Sequence, residues 1–158
     1  MQATEIFRLA EVQVDDLSLD DVDYVVIADP SLIGEDLQRF AEKQAEMGRA
    51  TKVVDVQDVF NQYADGLVLP QAIADYLSDQ ALTSDYQYVL LVGSHTYNYR
   101  GYNSPEGQEP VTMIPSFYRA ADLISEQIPT AAPFVDFDQD GFPAVSYTHL
   151  TLPTIYSV

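Results

Sequence analysis

The stretch DYVVIAD at residues 23–29 is a continuous apolar run bracketed by aspartates and closed by Pro30. A strand with one wet face alternates apolar and polar residues. One buried on both faces reads as an unbroken apolar run, the pattern of parallel sheets covered by helices. Residues 23–29 are therefore predicted as a first strand, buried on both sides. Downstream, Leu37, Phe40, Ala41 and Met47 recur near helical spacing among Glu, Gln, Arg and Lys, and Gly48 stands where a helix C-cap would. An amphipathic helix is expected there. Residues 51–56 (TKVVDV) read as a second strand, and Val59, Phe60 and Tyr63 before Gly66 as a short helical turn. Pro70 suits the first turn of a further helix, where its missing N–H costs nothing. Ile73, Tyr76 and Leu77 form the buried stripe of that helix, which ends near Ala81. Tyr88–Val92 (YVLLV), closed by Gly93, is the third and most apolar strand.

Strand, helix, strand, helix, strand at these spacings is a βαβ repeat, which implies right-handed crossovers and a parallel sheet between helices. The expected class is α/β, a three-layer sandwich with a mainly parallel sheet. The chain has 158 residues with 47% hydrophobic content, enough for one domain with a sizeable core. With 25 acidic and 7 basic residues it carries a net charge of −18, and its pI is about 4.1. Such a surface repels phosphate backbones and lacks the Lys/Arg needed for counterion release, so nucleic acid is not an expected partner. The longest apolar runs fall far short of the roughly 18–20 residues of a membrane-spanning helix, so no span is expected. Residues 1–14 lack a basic start followed by an apolar stretch, and no signal peptide is visible. There is no cysteine, which removes disulfides, thiolate metal sites and a cysteine nucleophile together.

After Gly93 the character changes. Tyr97, Tyr99, Gly101, Tyr102, Asn103, Ser104, Pro105 and Gly107 make a polar, aromatic loop too long for a mere connector. The three tyrosines could rim a peptide site or pack the loop onto the sheet. Residues 113–115 read as a short strand, residues 116–125 are ambiguous, and there is no internal repeat. Residues 145–154 read VSYTHLTLPT, a Thr-rich stretch without an acidic residue. The codons GTC TCT TAT ACA CAT CTG ACG CTG CCG ACG encode it, and they match a transposase-end adapter of shotgun sequencing libraries. The other reading is a genuine terminal strand, since Thr, Tyr, Val and Ile favour strands. The expected organisation is a lead-in at 1–22, a domain at 23–144 and an adapter-derived tail at 145–158, in which His149 carries no functional weight.

Three groups of residues could carry chemistry. Asp136, Asp138, Asp140 and Gly141 form D-x-D-x-D-G, which sets three carboxylates on one side of a tight turn, as oxygen-seeking Ca²⁺ requires. The twelfth loop position, where a helix-loop-helix calcium site needs a bidentate Glu, is Tyr147. The same pattern also serves as a plain acidic turn. His95 follows the third strand through Gly93 and Ser94, at the carboxyl end where open α/β sheets gather ligands. With no thiol to activate, it reads first as a surface or loop-packing histidine. Asp29 and Asp55 end the first two strands and could do acid/base work in the same crevice, or cap the helices that follow. No Walker loop, G-x-G-x-x-G or H-E-x-x-H is present.

Taken in order, DYVVIADPSL, MGRATKVVDVQDVFNQYADGLVLPQAIADYL, YVLLVGSHTYNYRGY, MIPSFY and VDFDQDGFPAV resemble the gingipain-type cysteine peptidases, a secreted bacterial family with a caspase-like fold. The resemblance spans residues 23–144. It departs at Ser94 and His95, where the family is expected to have Asp after the third strand, and at Asn98 between the tyrosines. It implies a parent endopeptidase acting on protein or peptide substrates, secreted or held at the bacterial surface. A thiolate paired with a His base forms an acyl-enzyme there. Both lie beyond the acidic turn in the family, so no catalytic residue is assigned here. The chain is expected to be an inactive N-terminal lobe that packs against a catalytic lobe, with Ca²⁺ as its one candidate cofactor. The alternative is an acidic, calcium-dependent α/β binding module.

Overall fold

A computed structural model of the chain describes residues 15–96, 112–120, 127–138 and 143–150. Three strands are where the apolar runs place them: β1 Tyr24–Ala28, β2 Thr51–Asp55 and β3 Tyr88–Val92. They are parallel, with Val26 opposite Val53 on one side and Leu90 on the other. Between β1 and β2 runs α1, Glu35–Glu46. Between β2 and β3 run α2, Val56–Tyr63, and α3, Pro70–Gln80. Two short antiparallel strands follow, β4 Phe117–Ala120 and β5 Gln127–Thr130, then a 3-10 turn, Ala132–Phe134, and β6, Ser146–Leu150.

The main sheet has the order β2-β1-β3-β6. The chain steps from β1 outward to β2, then back past β1 to β3. Two crossovers of one hand running in opposite directions must lay their helices on opposite faces, and they do. On one face Val26, Ala28, Leu90 and Val92 meet Leu37 and Phe40 of α1. On the other, Val25, Ile27, Val54, Val89 and Leu91 meet Val59 and Phe60 of α2 and Ile73, Tyr76 and Leu77 of α3. The period-2 alternation of the strands thus feeds two cores, as a three-layer α/β sandwich requires.

Several expectations need correction. The short helical turn before Gly66 is an eight-residue helix, because the Asp55 carboxylate caps it and draws Val56 out of the second strand. Residues 113–115 are not a strand: the amides of Met113 and Ile114 both donate to the Ser94 carbonyl, at 2.9 and 3.0 Å. Met47 is 59% exposed, because α1 ends at Glu46 before that position can turn inward. The stretch at 1–22 contributes to the core from Leu17 onward. Leu17 and Leu19 are buried against α3, where Tyr76 Oη donates to the Leu17 carbonyl at 2.9 Å and the Leu19 amide to Gln80 Oε1 at 2.9 Å.

Residues 146–150, read above as adapter-derived, form β6 and pair in parallel with β3, from Tyr88 opposite Ser146 to Val92 opposite Leu150. An open strand edge accepts any backbone that can extend beside it, since its N–H and C=O groups do not read side chains. The pairing therefore reports an open, register-matched edge at β3, whichever nucleotides encode the residues in it.

Candidate functional site

In a sheet of order β2-β1-β3 the direction of winding reverses between β1 and β3, and the crevice outside their carboxyl ends is where such sheets hold ligands. Asp29, Asp55, Ser94 and His95 all leave strands at that edge. Asp29 Oδ1 accepts the Ser31 amide at 3.0 Å and also the Ser31 hydroxyl, closing the 3-10 turn Pro30–Leu32. Asp55 Oδ1 accepts the Gln57 amide at 2.8 Å at the start of α2. Both carboxylates are thus helix caps. Burial raises the Asp55 carboxyl above its ordinary 3.8. The Gln57 hydrogen bond opposes that shift, and the nearby charges of Asp58, Asp29 and Asp15 add to it. Asp55→Ala is expected to cost about 0.5–2 kcal/mol, with Asp55→Asn recovering most of the loss. Denaturant unfolding of the two variants checks this, and equal losses would remove the capping role.

Beyond β3, Gly93 is where the chain must be small. A Cβ there would lie 2.8 Å from both Met113 Cβ and Ile114 Cγ1, and its φ is +159°. That close approach lets residues 113 and 114 close on the Ser94 carbonyl, forming a neck at the mouth of the crevice. His95 leaves this neck half-buried, with Nδ1 2.9 Å from Tyr118 Oη on β4. Desolvation lowers its pKa below the ordinary 6.5. The unfolded chain therefore takes up the proton first as pH falls. The neutral ring's contribution is complete above about pH 6.5 and is lost as pH drops through the lower folded value. Relative to a His95→Gln variant, the chain is expected to lose melting temperature between pH 7 and 5. A pH-independent difference between the two would contradict the buried neutral histidine.

The sequence motifs are thus partly assembled. Asp29, Asp55 and His95 share one edge. Tyr97, Tyr99, Tyr102 and Asn98 lie outside the described residues, as do Asp140 and Gly141. Asp136, half-buried, and Asp138, exposed, follow the Ala132–Phe134 turn on the flank of α3, and among the described residues no group of three or more His, Cys, Asp or Glu is placed to hold a metal. Tyr118 was not anticipated as the partner of His95. It lies 23 residues away, and no local pattern marks the pair. Among the described residues the edge offers one imidazole and two capping carboxylates, and the chain has no cysteine.

The model of peptidase family C25 matches residues 18–154. This chain belongs to peptidase family C25, the gingipain family. Among solved structures, the crystal structure of dimeric latent PorU from Porphyromonas gingivalis is similar, with a TM-score of 0.59 and 14% identity over 84% of this chain. At that identity the likeness establishes the fold. The C25 chain described here spans 14% of that chain. No curated protein matches it. The α/β sandwich and gingipain-type membership expected from the ordered motifs are therefore both found, and the C25 match begins at residue 18, close to where Leu17 enters the core.

Proposed function

We propose that this chain forms the N-terminal lobe of a gingipain-type cysteine endopeptidase domain, whose thiol and partner histidine lie outside these 158 residues. The observation that carries the reading is a C25 match over 18–154 in a chain with no cysteine. In this role the sheet is a rigid platform. Its carboxyl edge faces the lobe bearing the nucleophile, and the sheet continues on the side of β3 that pairs with β6. The substrate class is protein or peptide, and the site of action is the bacterial surface or the medium outside it. None of the helices in the described residues is long and apolar enough to cross a membrane. The family match does not favour the free-standing binding module.

The test is direct. Purified chain incubated with an unfolded protein is expected to release no fragments. Cleavage by this chain that disappears in a His95→Ala variant would overturn the reading.

The D-x-D-x-D-G turn is proposed as a Ca²⁺ loop within that lobe, with Asp136, Asp138 and Asp140 as carboxylate ligands, supported by their spacing. Millimolar Ca²⁺ is expected to raise the melting temperature, and Asp138→Ala to abolish the rise. No shift, or an equal one in the variant, discards the metal, because a chain of charge −18 attracts divalent cations diffusely.

A further inference from the structure

The sheet order β2-β1-β3-β6 leaves two edge strands, and they differ in chemistry. β2 carries Lys52 and Asp55. Lys52 Nζ donates to the Ser18 carbonyl at 2.6 Å and lies 3.9 Å from Asp16 Oδ2. Charges of this kind blunt a strand edge against stray pairing. At the other end of the sheet β6 pairs with β3, and among the described residues no strand lies on its outer side. Its sequence, SYTHL, holds no Asp, Glu, Lys, Arg or Pro, and Ser146 and Thr148 are exposed. The backbone N–H and C=O groups of such an edge take water or another backbone as partner, and nothing in these five residues deters the second.

The distribution of charge selects that partner. All 25 acidic and 7 basic residues lie within 1–144, and 145–158 hold none. Two copies, each of charge −18, repel one another wherever carboxylates meet, and they approach at least cost along a neutral strip. Antiparallel pairing of β6 with itself meets that condition. A two-fold axis at Thr148 sets Thr148 opposite Thr148 and Ser146 opposite Leu150, with no like charges in the ladder. A basic partner would be drawn to the carboxylates elsewhere on the chain and not to this strand.

We propose that the outer edge of β6 is a self-association surface, on which a second copy of this chain pairs antiparallel and joins the two sheets into one. An edge that pairs with itself closes at two copies. Five residues a side bury too little for a permanent dimer, so the association is weak and concentration-dependent. The pairing rests on sheet order and charge distribution and is independent of the peptidase reading.

Sedimentation velocity of the whole chain, over about a hundredfold range of concentration, is expected to show a monomer–dimer equilibrium. Raising the salt is expected to increase the dimer fraction, because screening relieves the repulsion between two acidic chains and leaves backbone hydrogen bonds intact. Thr148→Lys lowers the net charge yet sets two cations opposite each other, and is expected to weaken the dimer about fivefold. Ser146→Lys, which blunts the same edge one position removed, is expected to weaken it too. Gln38→Lys makes the same charge change on the exposed face of α1 and is expected not to weaken it. Circular dichroism checks that each variant is folded. A chain that stays monomeric throughout, a dimer that salt dissociates, growth beyond two copies, or equal association of Thr148→Lys and Gln38→Lys would overturn the proposal.

Discussion

Replacing Phe134 by alanine is expected to destabilise the chain by about 3–5 kcal/mol, the cost of deleting a buried aromatic ring and leaving a cavity. Phe134 is 1% exposed, packs against Phe117, and ties the Ala132–Phe134 turn to the core formed with α3. For a domain of this length the loss corresponds to a fall in melting temperature of roughly 6–20 °C, at about 2–4 °C per kcal/mol. Leu82→Ala, at a site 83% exposed, is expected to stay within about 0.5 kcal/mol and serves as the control. Thermal unfolding followed by circular dichroism reads both. A Phe134→Ala protein as stable as the control would mean that β4, β5 and their turn are not part of the same core as the sheet.

Gly93→Val is expected to be the most damaging change at the carboxyl edge. Two atoms stand 2.8 Å from where its Cβ must go, one of them on Ile114, which is fully buried. Neither can yield without moving the neck. Overpacking of this kind costs about 1–3 kcal/mol, and here the strain falls on the two hydrogen bonds to the Ser94 carbonyl. Hydrogen exchange at the Met113 and Ile114 amides is expected to accelerate along with the fall in stability. Unchanged protection of those amides would show that the neck does not depend on the glycine.

The difference between what was legible in the sequence and what was not follows from the range of the interactions. Tyr88–Val92 and the Ile73, Tyr76, Leu77 stripe are marked by their own periodicity, and all three stripe residues are fully buried. The caps at Asp29 and Asp55 are equally local, each reaching an amide two residues on. By contrast β4 and β5 have four residues each, and β5 carries Pro129, which cannot donate to a ladder, so neither run announces a strand. Residues 113–115 carry apolar side chains like a strand, yet the amides of Met113 and Ile114 are claimed by a carbonyl nineteen and twenty positions earlier, a fact of tertiary closure. The same holds for His95 and Tyr118. The family was legible because it rests on the order of several weak motifs, which survives where each alone does not.

Sequencing the uninterrupted reading frame of the source gene across position 144 tests the central reading most directly. A frame that runs on through further apolar strands to a histidine and then a cysteine is expected, as the proposed N-terminal lobe of a peptidase requires. A frame that stops soon after the acidic turn, with no cysteine encoded, would contradict it.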